Sequence, residues 1–75
     1  MSTTHEITNN LTQKLATAVA HREEFSATHG SHTFYVWMDQ AIPVITVVHS
    51  EQGTVFEELA SDKPEVMSQL LAAYL

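Results

Sequence analysis

Between Thr4 and Thr28, apolar residues return at mostly three- and four-residue steps: Ile7, Leu11, Leu15, Ala18, Val19 and Phe25, with Arg22 completing the stripe. That period is one face of an α-helix. Thr8, Asn9, Thr12, Gln13, Ala20, His21 and Glu24 fall on the opposite side. Thr3 and Glu6 have capping-box spacing, so the pattern predicts one long helix beginning near residue 4. Gly30, just after His29, supplies a left-handed stop. The many Thr and Asn residues lower intrinsic helicity, so this helix depends on what it packs against.

The pattern then changes. His32–Met38 and Val44–His49 are rich in Val, Ile, Phe, Tyr and Trp and read as two strands. Asp39–Pro43 links them, and Pro43 is tolerable at the first position of a strand. Gly53 offers a positive φ in a second turn, after which Thr54–Leu59 reads as a third strand. The last helix opens with Ser61 or Asp62 as N-cap, Pro64 in the first turn and Glu65 at the positive end of the helix dipole. Its apolar stripe is Val66, Met67, Leu70, Leu71, Tyr74 and Leu75. The expected fold is α+β, in the order α-β-β-β-α. A long N-terminal and a shorter C-terminal helix pack on a three-stranded antiparallel sheet, in one domain spanning residues 1–75.

Double-stranded-RNA-binding domains share this element order. Their binding rests on a basic cluster at the start of the last helix. This chain has Asp62, Lys63, Pro64 and Glu65 there, so the order alone carries no membership.

Neither strand of the central hairpin alternates apolar with polar. Pairing them around Ala41 sets Phe34 opposite Val48, Val36 opposite Thr46 and Met38 opposite Val44. One face then holds those six residues. The other holds Tyr35, Trp37, Ile45 and Val47, bordered by Thr33 and His49. Side chains alternate across a strand, so both sets cannot enter one core. Either the two helices sit on opposite faces, or both cover one face and the other meets a partner. A small antiparallel α+β domain usually collects its helices on one face. Tyr35, Trp37, Ile45 and Val47 are therefore the expected partner-binding face, with the aromatics as anchors. A second copy is the commonest way to cover such a face, which makes a homodimer the expectation.

Charge narrows the partners. Nine acidic and three basic residues give a formal charge of −6. That argues against direct nucleic-acid binding and against anionic membranes, and favours a partner with a basic surface. Glu57, Glu58, Asp62 and Glu65 cluster within nine residues and make a candidate acidic patch. The chain has no Cys, and so no disulfide and no thiolate chemistry. "MSTTHEITNN" has neither the basic nor the apolar region of a signal peptide, and no run is long enough to span a bilayer. A cytoplasmic protein is expected.

Catalytic patterns are missing. The five His residues match no ligand spacing of an established zinc site, although His29, His32 and His49 are expected to lie close together. Glu57 and Glu58 are neighbours on a strand and point to opposite faces, so they are no acid–base pair. No nucleophile elbow or phosphate loop occurs, and the chain barely has room for a walled pocket. These features describe a small, acidic, non-enzymatic protein-interaction module without cofactor or metal. Its expected partner-binding residues are Tyr35, Trp37, Ile45, Val47, Glu57, Glu58 and Asp62. The alternative is an acidic inhibitor of a nucleic-acid-binding protein or nuclease, of the mobile-element-encoded type. A small-ligand or metal sensor is a weaker one.

Overall fold

The computed structural model describes the backbone of residues 3–74 and the side chains of residues 10–74. Helix α1 (Thr3–His21) is followed by strands β1 (Phe25–His29), β2 (His32–Asp39), β3 (Ile42–His49) and β4 (Gly53–Leu59), and then by helix α2 (Pro64–Tyr74). The strands form one antiparallel meander in the order β1-β2-β3-β4. The fold is α+β as expected, with four strands rather than three. The extra strand also separates the chain from the α-β-β-β-α order. The Thr3–Glu6 capping pair, Ile7 and the stripe position Leu75 lie outside the described side chains.

The additional strand comes from the predicted helix. α1 stops at His21, seven residues short of Thr28, because Arg22 takes the left-handed conformation at φ 55°. The Arg22 N–H then donates to the Val19 carbonyl (3.1 Å) and the Glu23 N–H to the Ala18 carbonyl (2.9 Å), which is a Schellman closure without its usual glycine. Beyond it, Phe25, Ala27 and His29 are half-buried while Ser26 and Thr28 are exposed. That is the period of a strand, and Phe25 belongs to it rather than to the helical stripe. Gly30 is not a helix stop. It holds φ 62° in the two-residue turn between β1 and β2.

The β2–β3 register differs from the expected one by a single residue. A two-residue turn at Gln40 and Ala41, both at positive φ, pairs Phe34 with Val47, Val36 with Ile45 and Trp37 with Val44. Because the period of a strand is two, this slip exchanges the faces of every β3 side chain. Ile45 and Val47, 2% and 0% exposed, therefore join Phe34 and Val36 in the core. Val44, Thr46 and Val48 turn to the other face, beside Trp37, Tyr35 and Thr33.

Both helices cover the Phe34 face. Leu11, Leu15, Ala18 and Val19 of α1 and Met67 and Leu71 of α2 form one cluster with Phe34, Val36, Ile45 and Val47. A register shift at Val47/Val48 leaves Val55 as an extra residue in β4, and both Val55 and Phe56 pack on that cluster. α2 begins beside the end of α1, where Asp62 and Pro64 lie near Ala20 and His21, and ends with Tyr74 near His32 and His49. It therefore runs back antiparallel to α1. Its N-cap is Lys63, whose carbonyl accepts from Val66 and Met67, while Ser61 Oγ accepts from the Lys63 N–H at 3.1 Å. Pro64 occupies the first helical position, where its missing N–H costs nothing.

Candidate functional site

The face of the sheet turned away from the helices is read row by row from the strand register. Near the Gln40–Ala41 turn, Trp37, Val44 and Leu59 lie side by side across β2, β3 and β4. The next row is Ser26, Tyr35, Thr46 and Glu57, one residue from each strand. Beyond it come Thr28, Thr33, Val48 and Thr54. The face thus has an apolar end and a hydroxyl-rich end.

The apolar end is open to solvent. Tyr35 is 41% exposed, Ile42 53% and Leu59 74%, and Trp37 is half-buried. Val44 is buried, yet it is not a member of the helix-side cluster. A chain of hydrogen bonds fixes the aromatic. Trp37 Nε1–H donates to Thr46 Oγ1 at 2.9 Å, and the Thr46 hydroxyl donates to Glu57 Oε2 at 2.7 Å. Three strands are tied together by one indole, one hydroxyl and one carboxylate. The carboxylate end makes the relay charge-assisted, and it holds the indole in one orientation on the sheet.

The expected site residues separate into three places. Tyr35, Trp37 and Glu57 share the helix-free face. Ile45 and Val47 are core residues on the opposite side and are not available to a partner. Glu58 pairs with Ile45 and so points to the helix side, while Asp62 sits in the turn before α2, near His21. Glu57, Glu58 and Asp62 therefore do not converge on one surface. Sequence reasoning missed Val44, Thr46 and Leu59 as members of the face. A signal for them existed. Only the register that groups Thr46 with Thr33 leaves Phe34, Val36, Ile45 and Val47 as a purely apolar set.

At the other end of the helix-covered face, His29, His32 and His49 lie in one cross-strand row. The rings of His32 and His49 meet edge to face with centroids 5.0 Å apart, and Tyr74 closes on His32 at 5.4 Å. His49 Nδ1 accepts the N–H groups of Glu51 (3.1 Å) and Gln52 (3.2 Å), so that nitrogen is engaged in holding the β3–β4 turn. No group of three His, Asp or Glu side chains among the described residues is arranged to hold a metal ion. No helix among them is long and apolar enough to cross a membrane.

Compared with protein-family models, with curated proteins and with solved structures, the chain matches none.

Proposed function

We propose that this chain is a non-enzymatic protein-binding module whose helix-free sheet face receives another protein. The single observation that carries the reading is the oriented Trp37, locked through Thr46 to Glu57 on a face whose apolar end lies open. An indole held in one rotamer loses little entropy when a partner covers it, and aromatics of this kind dominate binding energy at interfaces. The partner is expected to carry a basic rim. Asp39 and Glu57 lie on this face, while the three cationic residues, Lys14, Arg22 and Lys63, belong to α1, the α1–β1 turn and the turn before α2.

The runner-up, an acidic inhibitor of a nucleic-acid-binding protein, draws on the charge of −6. In the sequence it rests on a patch of Glu57, Glu58, Asp62 and Glu65. With those residues on different surfaces, only Glu57 and Asp39 remain to meet a basic groove from this face.

Affinity capture with the folded chain, followed by binding kinetics on the recovered partner, tests the proposal. Trp37→Ala and Tyr35→Ala are each expected to weaken binding by roughly thirtyfold or more, the scale of an interface anchor. Glu57→Gln is expected to slow association at low salt and to matter less at high salt. A partner whose affinity is indifferent to both aromatic changes would dock elsewhere, and the reading would fall.

A further inference from the structure

We infer that the free edge of β1 pairs with the β1 edge of a second copy of this chain, joining two sheets into one of eight strands. The meander has two edges, β1 and β4. β4 is protected: it carries exposed Glu57 and Glu58 and the irregularity opposite Val47/Val48, both devices that discourage strand addition. β1 has none of them. Its five residues, Phe25–His29, hold no acid, no Lys or Arg and no proline, and their pairing with β2 is unbroken.

Main-chain geometry supplies the pairing groups. Gly30 and Ser31 form a two-residue turn closed by the His29–His32 pair, whose members exchange both hydrogen bonds. By alternation, Phe25, Ala27 and His29 direct their N–H and C=O groups to β2. Ser26 and Thr28 direct theirs outward, and no other backbone bond among the described residues reaches them.

These outward groups are self-complementary. A twofold axis through Ala27 sets Ser26 opposite Thr28 of the second copy, and the reverse, giving four main-chain hydrogen bonds. Alanine, the smallest side chain of the strand, then meets its own equivalent at the axis. Phe25 falls opposite His29 of the second copy, on the helix side. There a groove of about 170 Å³ runs between Lys14 of α1 and the half-buried Phe25 and Ala27. The antiparallel arrangement also keeps like charges apart. It sets Glu24, which precedes β1, beside the carboxylate-free His29–Gly30 end of the second copy, so the Glu23–Glu24 pairs of the two copies lie at opposite ends of the seam. Two chains of charge −6 repel at a distance, and the five acid-free residues of β1 let them approach at lower cost than the β4 edge with Glu57 and Glu58. Self-pairing goes beyond the docking reading and leaves that face free. It places two helix-free faces in one continuous surface, so a partner with two sites gains by avidity.

Sedimentation velocity across the micromolar range tests the inference. The expected result is a species of twice the 8.4 kDa chain mass. Ser26→Pro removes an outward N–H, places a ring in the path of the second strand and keeps the bonds to β2. It should weaken self-association by roughly tenfold or more, with an unchanged circular dichroism spectrum. Ser26→Glu with Thr28→Glu, and Ser26→Lys with Thr28→Lys, set like charges against each other across the seam at exposed positions. Each double variant alone should be monomeric, and an equal mixture should dimerise, which keeps the test decisive if the proline variant does not fold. Trp37→Ala, the probe of the docking face, should leave the dimer intact. The inference is overturned by a wild-type monomer at every concentration, by a mixture of the folded Glu and Lys double variants that stays monomeric, or by a dimer lost on Trp37→Ala but kept in Ser26→Pro.

Discussion

Thr12 and Thr46 are both buried, 5% and 7% exposed, and they stand at opposite ends of the hydrogen-bond ledger. The Thr12 hydroxyl has no partner among the described residues, whereas Thr46 bonds Trp37 on one side and Glu57 on the other. Replacing a buried, unpaired hydroxyl by a methyl removes a desolvation penalty of about 1–3 kcal/mol, partly offset by local repacking. Thr12→Val should therefore stabilise the chain by about 1 kcal/mol, a rise of roughly 4–8 °C in Tm for a domain of this size. Thr46→Val should move the melt the other way by a similar amount, because it leaves the indole N–H and the carboxylate without their link. Thermal denaturation of the two variants side by side checks the pair, and two shifts of the same sign would contradict the hydrogen bonding described. The sequence does not distinguish these residues. Helical spacing puts Thr12 on the polar side of α1, but α1 packs on α2 as well as on the sheet, and its buried face is broader than a single stripe.

Two elements end on residues with no glycine where the backbone is left-handed. Arg22 closes α1 at φ 55°, and Gln40 and Ala41 turn the central hairpin at φ 52° and 69°. An L-residue in that region costs about 1–2 kcal/mol, which Asn or Gly largely avoids. These positions are where sequence reading went astray, and for the same reason. The two hairpin strands, β4, α2 with Pro64 at its start and the α+β class are legible from period and turn residues. The stop of α1 and the hairpin register are not, because Arg and Gln-Ala carry none of the usual turn chemistry. Missing the first hid β1 inside a helix. Missing the second sent Ile45 and Val47 to the wrong face, and with them half of the expected docking surface. The strain itself is testable. Gln40→Asn with Ala41→Gly installs the residues preferred by a turn with two positive φ angles. It should raise unfolding free energy by about 1–2 kcal/mol with no change in register. Denaturant titration measures the gain. A loss of stability would mean that the turn does not have the conformation described.

At the scale of the whole molecule, the sheet has one face that both helices cover and one whose apolar end is open to solvent. A chain this small has a total stability of roughly 4–11 kcal/mol. Phe34 is fully buried between the sheet and both helices, so Phe34→Ala should cost about 3–5 kcal/mol and consume much of that reserve. Trp37 is the larger side chain but sits half-buried on the other face, touching no helix-side cluster residue across the sheet. Trp37→Ala removes its Thr46 bond and its cross-strand pairing with Val44, and should cost only about 1–2 kcal/mol. Size alone predicts the opposite order, since tryptophan loses more atoms than phenylalanine. Location reverses it. Denaturant midpoints of the two variants, at constant m-value, decide between these accounts. If Trp37→Ala were as damaging as Phe34→Ala, the helix-free face would be a second core, and its aromatics would serve folding instead of docking. If the order holds, Trp37 is an oriented indole that the fold can spare, which is the property a binding anchor requires.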